Sequence, residues 1–245
     1  MAIMNASDEH LIFGELELFA GYAMYPNEVG FVEVLTHMDM EICLQNHPNW
    51  PVIRQQPPVL VYDCPAFVSQ SELMDYFCPF ADNQSQHDHI CVGLDGNEKR
   101  QADHQRRDYR LVIYSAEDPT KPIAFTSFDL FLSENVDQED TQVNLIGLNC
   151  DFLYAYVIPE YRGMGIGAML GLMMGTLYWA QIHHVWQQIN ESETALVPQI
   201  HSEKFGRGGQ DIISTVLREI KLFSDINKTK GRITHLRMPR IMTRD

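Results

Sequence analysis

Basic residues are scarce in this chain, and the scarcity limits the partners it can bind. The 245 residues include 18 Lys and Arg against 33 Asp and Glu, which gives a formal net charge of -15 at pH 7. A surplus of acidic groups repels the phosphate backbone of nucleic acids over long distances. We therefore expect no nucleic acid partner, and the charge favours cationic substrates.

The sequence also lacks the cysteine pattern of a disulfide framework, and we expect no secretory leader. Its five cysteines are an odd number at wide spacings, in a chain large enough to bury a core without cross-links. The first nine residues carry neither a basic patch nor an apolar run. Both observations favour reduced thiols and a cytoplasmic location.

Metal ligands are present only as a loose group. The run His87-x-His89-x-Cys91, with Cys78 nearby, would collect ligands on one face if it were a strand. A second closely spaced pair of ligands is missing from the sequence around it. We therefore predict no metal site.

The pattern of apolar residues changes at about residue 104. Residues 1–104 are broken by prolines and polar stretches, and we expect either an extension or cap, or an opening strand with helices. The segment from Asp82 to Arg107, which spans this change, is predicted to be an exposed connection around a short strand at 90–92. Residues 105–245 follow the order strand, strand, strand, helix, strand, helix, strand, which predicts an α/β fold with a mixed, twisted sheet flanked by helices.

A glycine-rich segment follows the long apolar strand predicted from Leu145 to Ile158. It reads Val157-Ile158-Pro159-Glu160-Tyr161-Arg162-Gly163-Met164-Gly165-Ile166-Gly167 and leads into a helix predicted from about Gly165 to near His184. Closely spaced glycines allow a tight turn with outward N–H groups, and the following helix adds the positive end of its dipole. Such a segment binds a pyrophosphate without many lysines.

Three other interpretations of this segment fit less well. Gly163-x-Gly165-x-x-Ala168 matches the dinucleotide-binding fingerprint, but in that motif the strand runs almost directly into the first glycine, whereas here 159–162 intervene. A Walker loop is excluded because no Gly-Lys-Ser/Thr is present. A membrane span is disfavoured because the glycine turn shortens the apolar helix, so we expect a core helix.

The segment resembles the signature of the GNAT superfamily of N-acetyltransferases, a strand ending V-x-P followed by (Q/R)-x-x-G-x-(G/A). The resemblance implies a GNAT-like fold with an elaborated N-terminal region, and acetyl-CoA as acyl donor. It implies that the pantetheine arm binds along the strand at Ala155, Tyr156 and Val157. It assigns the pyrophosphate to the loop and helix start at Arg162, Gly163, Met164, Gly165, Ile166, Gly167 and Ala168.

The resemblance further implies direct attack of a primary amine, on a small molecule or a protein, on the thioester. Members of the family often carry a basic carboxylate upstream on the same strand, where Asp151 stands here; alternation by two places it on one face with Ala155 and Val157. The tyrosine that the family uses as an acid has no counterpart in residues 210–225. Tyr154, Ser214 or solvent are left as candidates for the acid.

Two further functions stay open on the sequence. The missing helix tyrosine is compatible with a non-catalytic module that binds or senses acyl-CoA. A GNAT toxin acting on aminoacyl-tRNA is the other alternative, and the net charge of -15 disfavours it. The acceptor, the acyl length and the formation of a homodimer are open as well.

Overall fold

The computed structural model describes residues 13–18, 61–63, 70–94, 104–114, 121–134, 144–189, 194–202, 207–229, 236 and 240–243. The elements in these ranges are β1 (Val61–Asp63), α1 (Gln70–Phe77), α2 (Gln84–Leu94), β2 (Arg106–Tyr114), β3 (Pro122–Ser133), β4 (Asn144–Val157), α3 (Ile166–Ile189), β5 (Thr194–Ser202), α4 (Arg207–Thr229) and β6 (Arg240–Thr243). Short 3₁₀ turns lie at Phe13–Glu15, Cys78–Phe80 and Pro159–Tyr161.

The described strands form one mixed sheet in the order β1-β2-β3-β4-β5-β6. Neighbours from β1 to β4 are antiparallel, whereas β5 pairs with β4 and β6 pairs with β5 in parallel. The change of direction at β4 requires a crossover, and α3 supplies it. The predicted α/β class, a mixed sheet flanked by helices, is confirmed.

The order of elements predicted after residue 105 agrees with the structure, and the differences concern their ends. α3 ends at Ile189 rather than near His184. The sequence predicts the second helix from Gln210 to Ser224, and the structure has it, as α4, from Arg207 to Thr229. The sequence predicts the last strand at 232–238, a range that lies outside the described residues except for Leu236, which bridges Leu196.

The prediction for residues 82–94 is wrong, because this polar stretch forms the helix α2 rather than a connection with a strand at 90–92. Asn83 caps the helix: its Oδ1 accepts a hydrogen bond from Gln86 N at 2.9 Å. The Gln86 side chain in turn accepts a hydrogen bond from Asp82 N at 2.7 Å. Asn-x-x-Gln is a signal for a helix start, which the strand prediction overlooked.

The first 104 residues contribute directly to this sheet and its cover. β1 pairs with β2. α2 packs on β4 so closely that a Cβ added to Gly93 would lie 2.8 Å from the Cβ of Tyr154. The described part of the N-terminal region therefore supplies one strand and two helices, while the proposed boundary at residue 104 stays a prediction.

The glycines of α3 are explained by its packing against α4. A Cβ added to Gly171 would lie 2.8 Å from the carbonyl oxygen of Ile212, and one added to Gly175 would lie 3.1 Å from the Cβ of Glu219. Gly171 and Gly175 are four residues apart and thus lie on one face of α3, where they allow the two helices of the core to approach closely. Among the described helices, none combines the length and the hydropathy that a bilayer span requires.

Replacing Gly171 by alanine tests this packing. The nearest atom is the backbone oxygen of a packed helix, so Gly171→Ala must separate α3 from α4, and we expect a loss of about 1–3 kcal/mol in the free energy of unfolding. The control is Gly208→Ala in the first turn of α4, where an added Cβ meets nothing within 4 Å. Urea denaturation that shows equal effects for both variants would contradict the packing.

Candidate functional site

β4 extends beyond β5, and this difference in length opens one edge of the sheet. The parallel register runs from Asn144↔Thr194 to Phe152↔Ser202, where the described strand β5 ends. On the other side, β4 stays paired with β3 as far as Ala124↔Val157. In the described part of the sheet, residues 153–157 therefore have one edge that is not covered by a strand.

The hydrogen bonds to β3 show which main-chain groups face the open edge. Ile158 N donates to Ile123 O at 3.0 Å, and the Ser127 hydroxyl donates to Tyr154 O at 3.3 Å. Main-chain groups of successive residues in a strand alternate between its two edges. The N–H and C=O groups of Ala155 therefore point toward the open edge.

The turn after β4 has the conformation that its glycines predict. Gly163 and Gly165 have φ angles of 80° and 82°, a region that residues with side chains adopt only with strain. α3 begins immediately afterwards, at Ile166. The turn therefore places the free N–H groups and positive dipole end of α3 beside the open edge, an arrangement that favours an anion.

Arg162 ties this turn to β4 and to the start of α2. Its Nε donates to Val157 O at 3.0 Å, and its guanidinium lies 5.4 Å from the centre of the Tyr156 ring. Its Nη1 lies 3.5 Å from the Asp82 carboxylate, while the Tyr156 hydroxyl donates to Phe80 O at 2.6 Å. Because the pair with Asp82 is exposed, its main effect is on the position of the arginine rather than on stability.

A cavity of about 700 Å³ lies against the open edge. This volume is within the range of cofactor and small-molecule pockets, roughly 300–1,000 Å³. Side chains and backbone from β4, from α2, from the turn and from the first turns of α3 and α4 line it: Asn83, Ser85, Gln86, His89, Phe152, Leu153, Tyr154, Ala155, Tyr156, Val157, Arg162, Gly167, Gly208, Gly209 and Ile212.

Two parts of this wall were not assigned to the site from the sequence. Residues on α2, including Gln86 and His89, were missed because the segment was predicted to be a connection; its helix cap was the available signal. The glycine-basic sequence of residues 204–209 favours a flexible turn, with contact to phosphate or substrate as the alternative. Its first residues lie outside the described ranges, but Gly208 and Gly209 belong to the first turn of α4 and line the cavity.

A β-bulge interrupts β4 beside the cavity. Ser127 of β3 pairs with Tyr154, whereas the next residue, Phe128, pairs with Phe152. Leu153 is thus an additional residue on β4, and it is partly exposed. A bulge of this kind leaves one residue outside the regular ladder and shifts the alternation of side chains on its strand.

The bulge changes the face on which Asp151 lies. Asp151 is paired with Asp129 and Tyr154 with Ser127, and residues 127 and 129 share a face of β3. Asp151 therefore shares a face with Tyr154, on the side where α2 packs, and the expectation that it shares a face with Ala155 is wrong. Asp151 is half-buried and is not among the residues that line the cavity.

Asp151 is the last member of a row of three carboxylates that crosses the sheet. Asp108, Asp129 and Asp151 are direct partners on β2, β3 and β4. Arg106 forms ion pairs with Asp108 and Asp129, and Arg110 lies 3.3 Å from the buried Asp129. Two arginines thus pair with two of the carboxylates, and Asp151 continues the row on β4.

Tyr154 is the candidate acid that lies in the cavity wall. Burial raises the pKa of its phenol above the usual value of 10.0, so the hydroxyl stays protonated at neutral pH. The His89 ring is 5.6 Å from the Tyr154 ring. Ser214, the alternative named from the sequence, is exposed on α4 and is not among the lining residues.

Comparison with known proteins gives little more. No family model and no curated protein matches this chain. A structural match is found to a crystal structure of aminoglycoside antibiotic 6'-N-acetyltransferase AAC(6')-Ih from Acinetobacter baumannii, at 15% identity, over 73% of this chain and 94% of that one, with a TM-score of 0.28. That protein is an N-acetyltransferase, the type of enzyme that the sequence resembles. At this TM-score we draw no functional conclusion from the match.

The conformation of the glycine turn can be tested by binding of coenzyme A. Gly163→Ala places a side chain at a φ of 80°, which costs on the order of 1–3 kcal/mol. If the turn must keep this shape to bind coenzyme A, the affinity falls by about fivefold or more. The control is Glu160→Ala, an exposed change in the same turn. Calorimetry that finds wild-type affinity for Gly163→Ala, with the protein folded, would contradict the assignment of this turn.

Proposed function

We propose that this protein transfers an acetyl group from acetyl-CoA to a primary amine. One observation supports this most strongly: one cavity extends along the open strand edge to Arg162 and to Gly167, where the glycine turn leads into α3. Coenzyme A needs both features, because its pantetheine arm carries amide groups and its pyrophosphate carries negative charge. An extended chain with amides binds a free strand edge as an added strand.

The cofactor would lie along β4 and end at the turn. The N–H and C=O of Ala155 would pair with the pantetheine amides, and the N–H groups of Gly163 to Ala168 would bind the pyrophosphate, with Arg162 adding positive charge. Val157 O is bonded to Arg162, so Val157 would contact the arm mainly through packing. Tyr156 directs its main chain toward β3 and would position Arg162 instead.

The reacting carbonyl would lie near the bulge at Leu153, where the open edge begins. A main-chain N–H directed into the gap there would stabilise the negative charge that develops on the thioester oxygen. The amine nitrogen forms a bond to the acetyl carbon as the carbon–sulfur bond breaks. Asp151 would accept the ammonium proton, directly or through water, and Tyr154 would give a proton to the departing sulfur. The second proton that the nitrogen loses as the amide forms would return through water to the Tyr154 oxygen.

The charge of the carboxylate row supports a cationic acceptor. Asp108 and Asp129 form ion pairs with Arg106 and Arg110, and the third carboxylate of the row, Asp151, lies on β4 itself. An ammonium group on the α2 side of β4 would be attracted by this row of carboxylates. The acceptor would therefore be an amine that arrives protonated, on a small molecule or on a protein.

A second candidate function is non-catalytic binding of acyl-CoA. Asp151 is not among the cavity-lining residues, and the described helix α4 carries no tyrosine. A protein with this cavity but without a working base would bind the cofactor and leave it intact.

Release of free thiol from acetyl-CoA, measured with a panel of primary amines, separates the two candidates. We expect turnover with at least one amine, and a loss of about 100-fold or more in kcat for Asp151→Asn, because removal of a general base has effects of this size. Affinity for coenzyme A should be unchanged in that variant. The exposed Asp225→Asn serves as a control for loss of a carboxylate.

Each outcome of this experiment has a clear meaning. Tight binding of coenzyme A with no thiol release for any amine would favour the binding module. Turnover that is unaffected by Asp151→Asn would support the acetyltransferase and exclude Asp151 as its base. Tyr154→Phe is expected to lower kcat more than it changes KM, and a variant with full kcat would remove Tyr154 as the acid.

A further inference from the structure

Three metal-binding side chains converge outside the cavity. One ligand atom each from Cys78, His87 and Cys91 lies within 4.8 Å of the others. Cys78 belongs to the 3₁₀ turn that follows α1, and His87 and Cys91 stand four residues apart on α2. Residues with this spacing are neighbours on one helix face. On a strand, His87 and Cys91 would share a face but lie about 13 Å apart, so the helix brings together a set that the strand prediction kept out of reach of one ion.

The distances within this Cys–His–Cys cluster fit a tetrahedral ion. The two sulfur atoms are 3.4 Å apart, and Cys91 Sγ is 3.7 Å from His87 Nδ1. Bonds of about 2.3 Å from zinc to sulfur and about 2.0–2.1 Å from zinc to nitrogen, at tetrahedral angles, place these atoms about 3.8 Å and about 3.6 Å apart. Small side-chain rotations therefore suffice to surround an ion.

We propose that Cys78, His87 and Cys91 bind a thiophilic divalent cation of the zinc type. Two thiolates and an imidazole are the donor set that such ions prefer over Mg²⁺ or Ca²⁺. The remaining position is taken by water or by a carboxylate. This proposal does not depend on the proposed acetyl transfer.

The surroundings of the cluster support a cation that enters from solvent. A depression of about 440 Å³ is lined by the three ligands together with Met74, Asp75 and Pro79. Asp75 thus lines the same depression and lies close enough to Cys78 to interact with it electrostatically. The Asp88 carboxylate, 3.6 Å from His87 Nδ1, adds a second acidic group beside the cluster.

A bound ion would fix one wall of the cavity. It would join the turn at Cys78–Phe80 to α2, and Phe80 O accepts the hydroxyl of Tyr156, which holds Arg162. The opposite side of α2 presents His89 to the cavity. The ion would therefore fix the position of α2 relative to the glycine turn, and it would also stabilise the fold.

Titration of the full chain with Co²⁺ and Zn²⁺, after removal of metal by a chelator and under a non-chelating reductant, tests the proposal. We expect one Co²⁺ per chain, with the absorption of tetrahedral cobalt bound to thiolate, displacement by Zn²⁺ and a higher melting temperature. Cys78→Ser and Cys91→Ser should each weaken binding by about 100-fold or more. His89→Gln, two residues from His87 on the same helix, should bind as the wild type does.

Three results would overturn the proposal. The first is binding no tighter in the wild type than in the two serine variants. The second is equal loss in His89→Gln, which would indicate a different ligand set. The third is reduced protein that binds no metal but forms a Cys78–Cys91 disulfide on oxidation, seen as the loss of two hydrogen masses, because the cluster would then be a redox pair.

Discussion

Main-chain groups inside a protein need hydrogen-bond partners, and the end of β4 presents such groups at an edge that the described sheet does not cover. β5 pairs with β4 only as far as Phe152, while β3 holds the other side of β4 to its last residue. The bulge at Leu153 lies where the open edge begins, and the glycine turn lies where it ends. An extended ligand with amide groups and an anionic end matches the chemistry of this edge and of the turn at its end.

The same arrangement explains how a strongly acidic chain would hold an anion. The positive potential at the turn comes from main-chain N–H groups and the start of α3, with Arg162 as the nearby cation. Away from the turn, Arg106 and Arg110 form ion pairs with Asp108 and Asp129, and Asp151 continues this row of carboxylates on β4. The anionic cofactor would thus be bound at the turn, and the cationic acceptor would lie beside the carboxylate row on the α2 side of β4.

Local patterns in the sequence predicted most of the sheet and the glycine turn, because alternating apolar residues and closely spaced glycines have few other interpretations. Two features depended on tertiary structure. The bulge at Leu153 follows from pairing with β3, and without it simple alternation placed Asp151 on the wrong face. α2 is polar because only part of it is buried, so its weak pattern resembled a loop; only the cap at Asn83 indicated a helix. Both errors concealed that α2, Tyr154 and Asp151 lie on one side of the sheet.

Helix α2 links the cavity to the cluster of Cys78, His87 and Cys91. One face of the helix presents His89 to the cavity, and the opposite face carries His87 and Cys91 of the cluster. A crystal structure of the chain with coenzyme A tests most directly whether the strand edge of residues 153–157 binds the cofactor. We predict pantetheine hydrogen-bonded to the main chain of Ala155, and pyrophosphate oxygens at the N–H groups of Gly163 to Ala168. Coenzyme A bound elsewhere, or a strand of the chain itself occupying the edge of residues 153–157, would contradict the account.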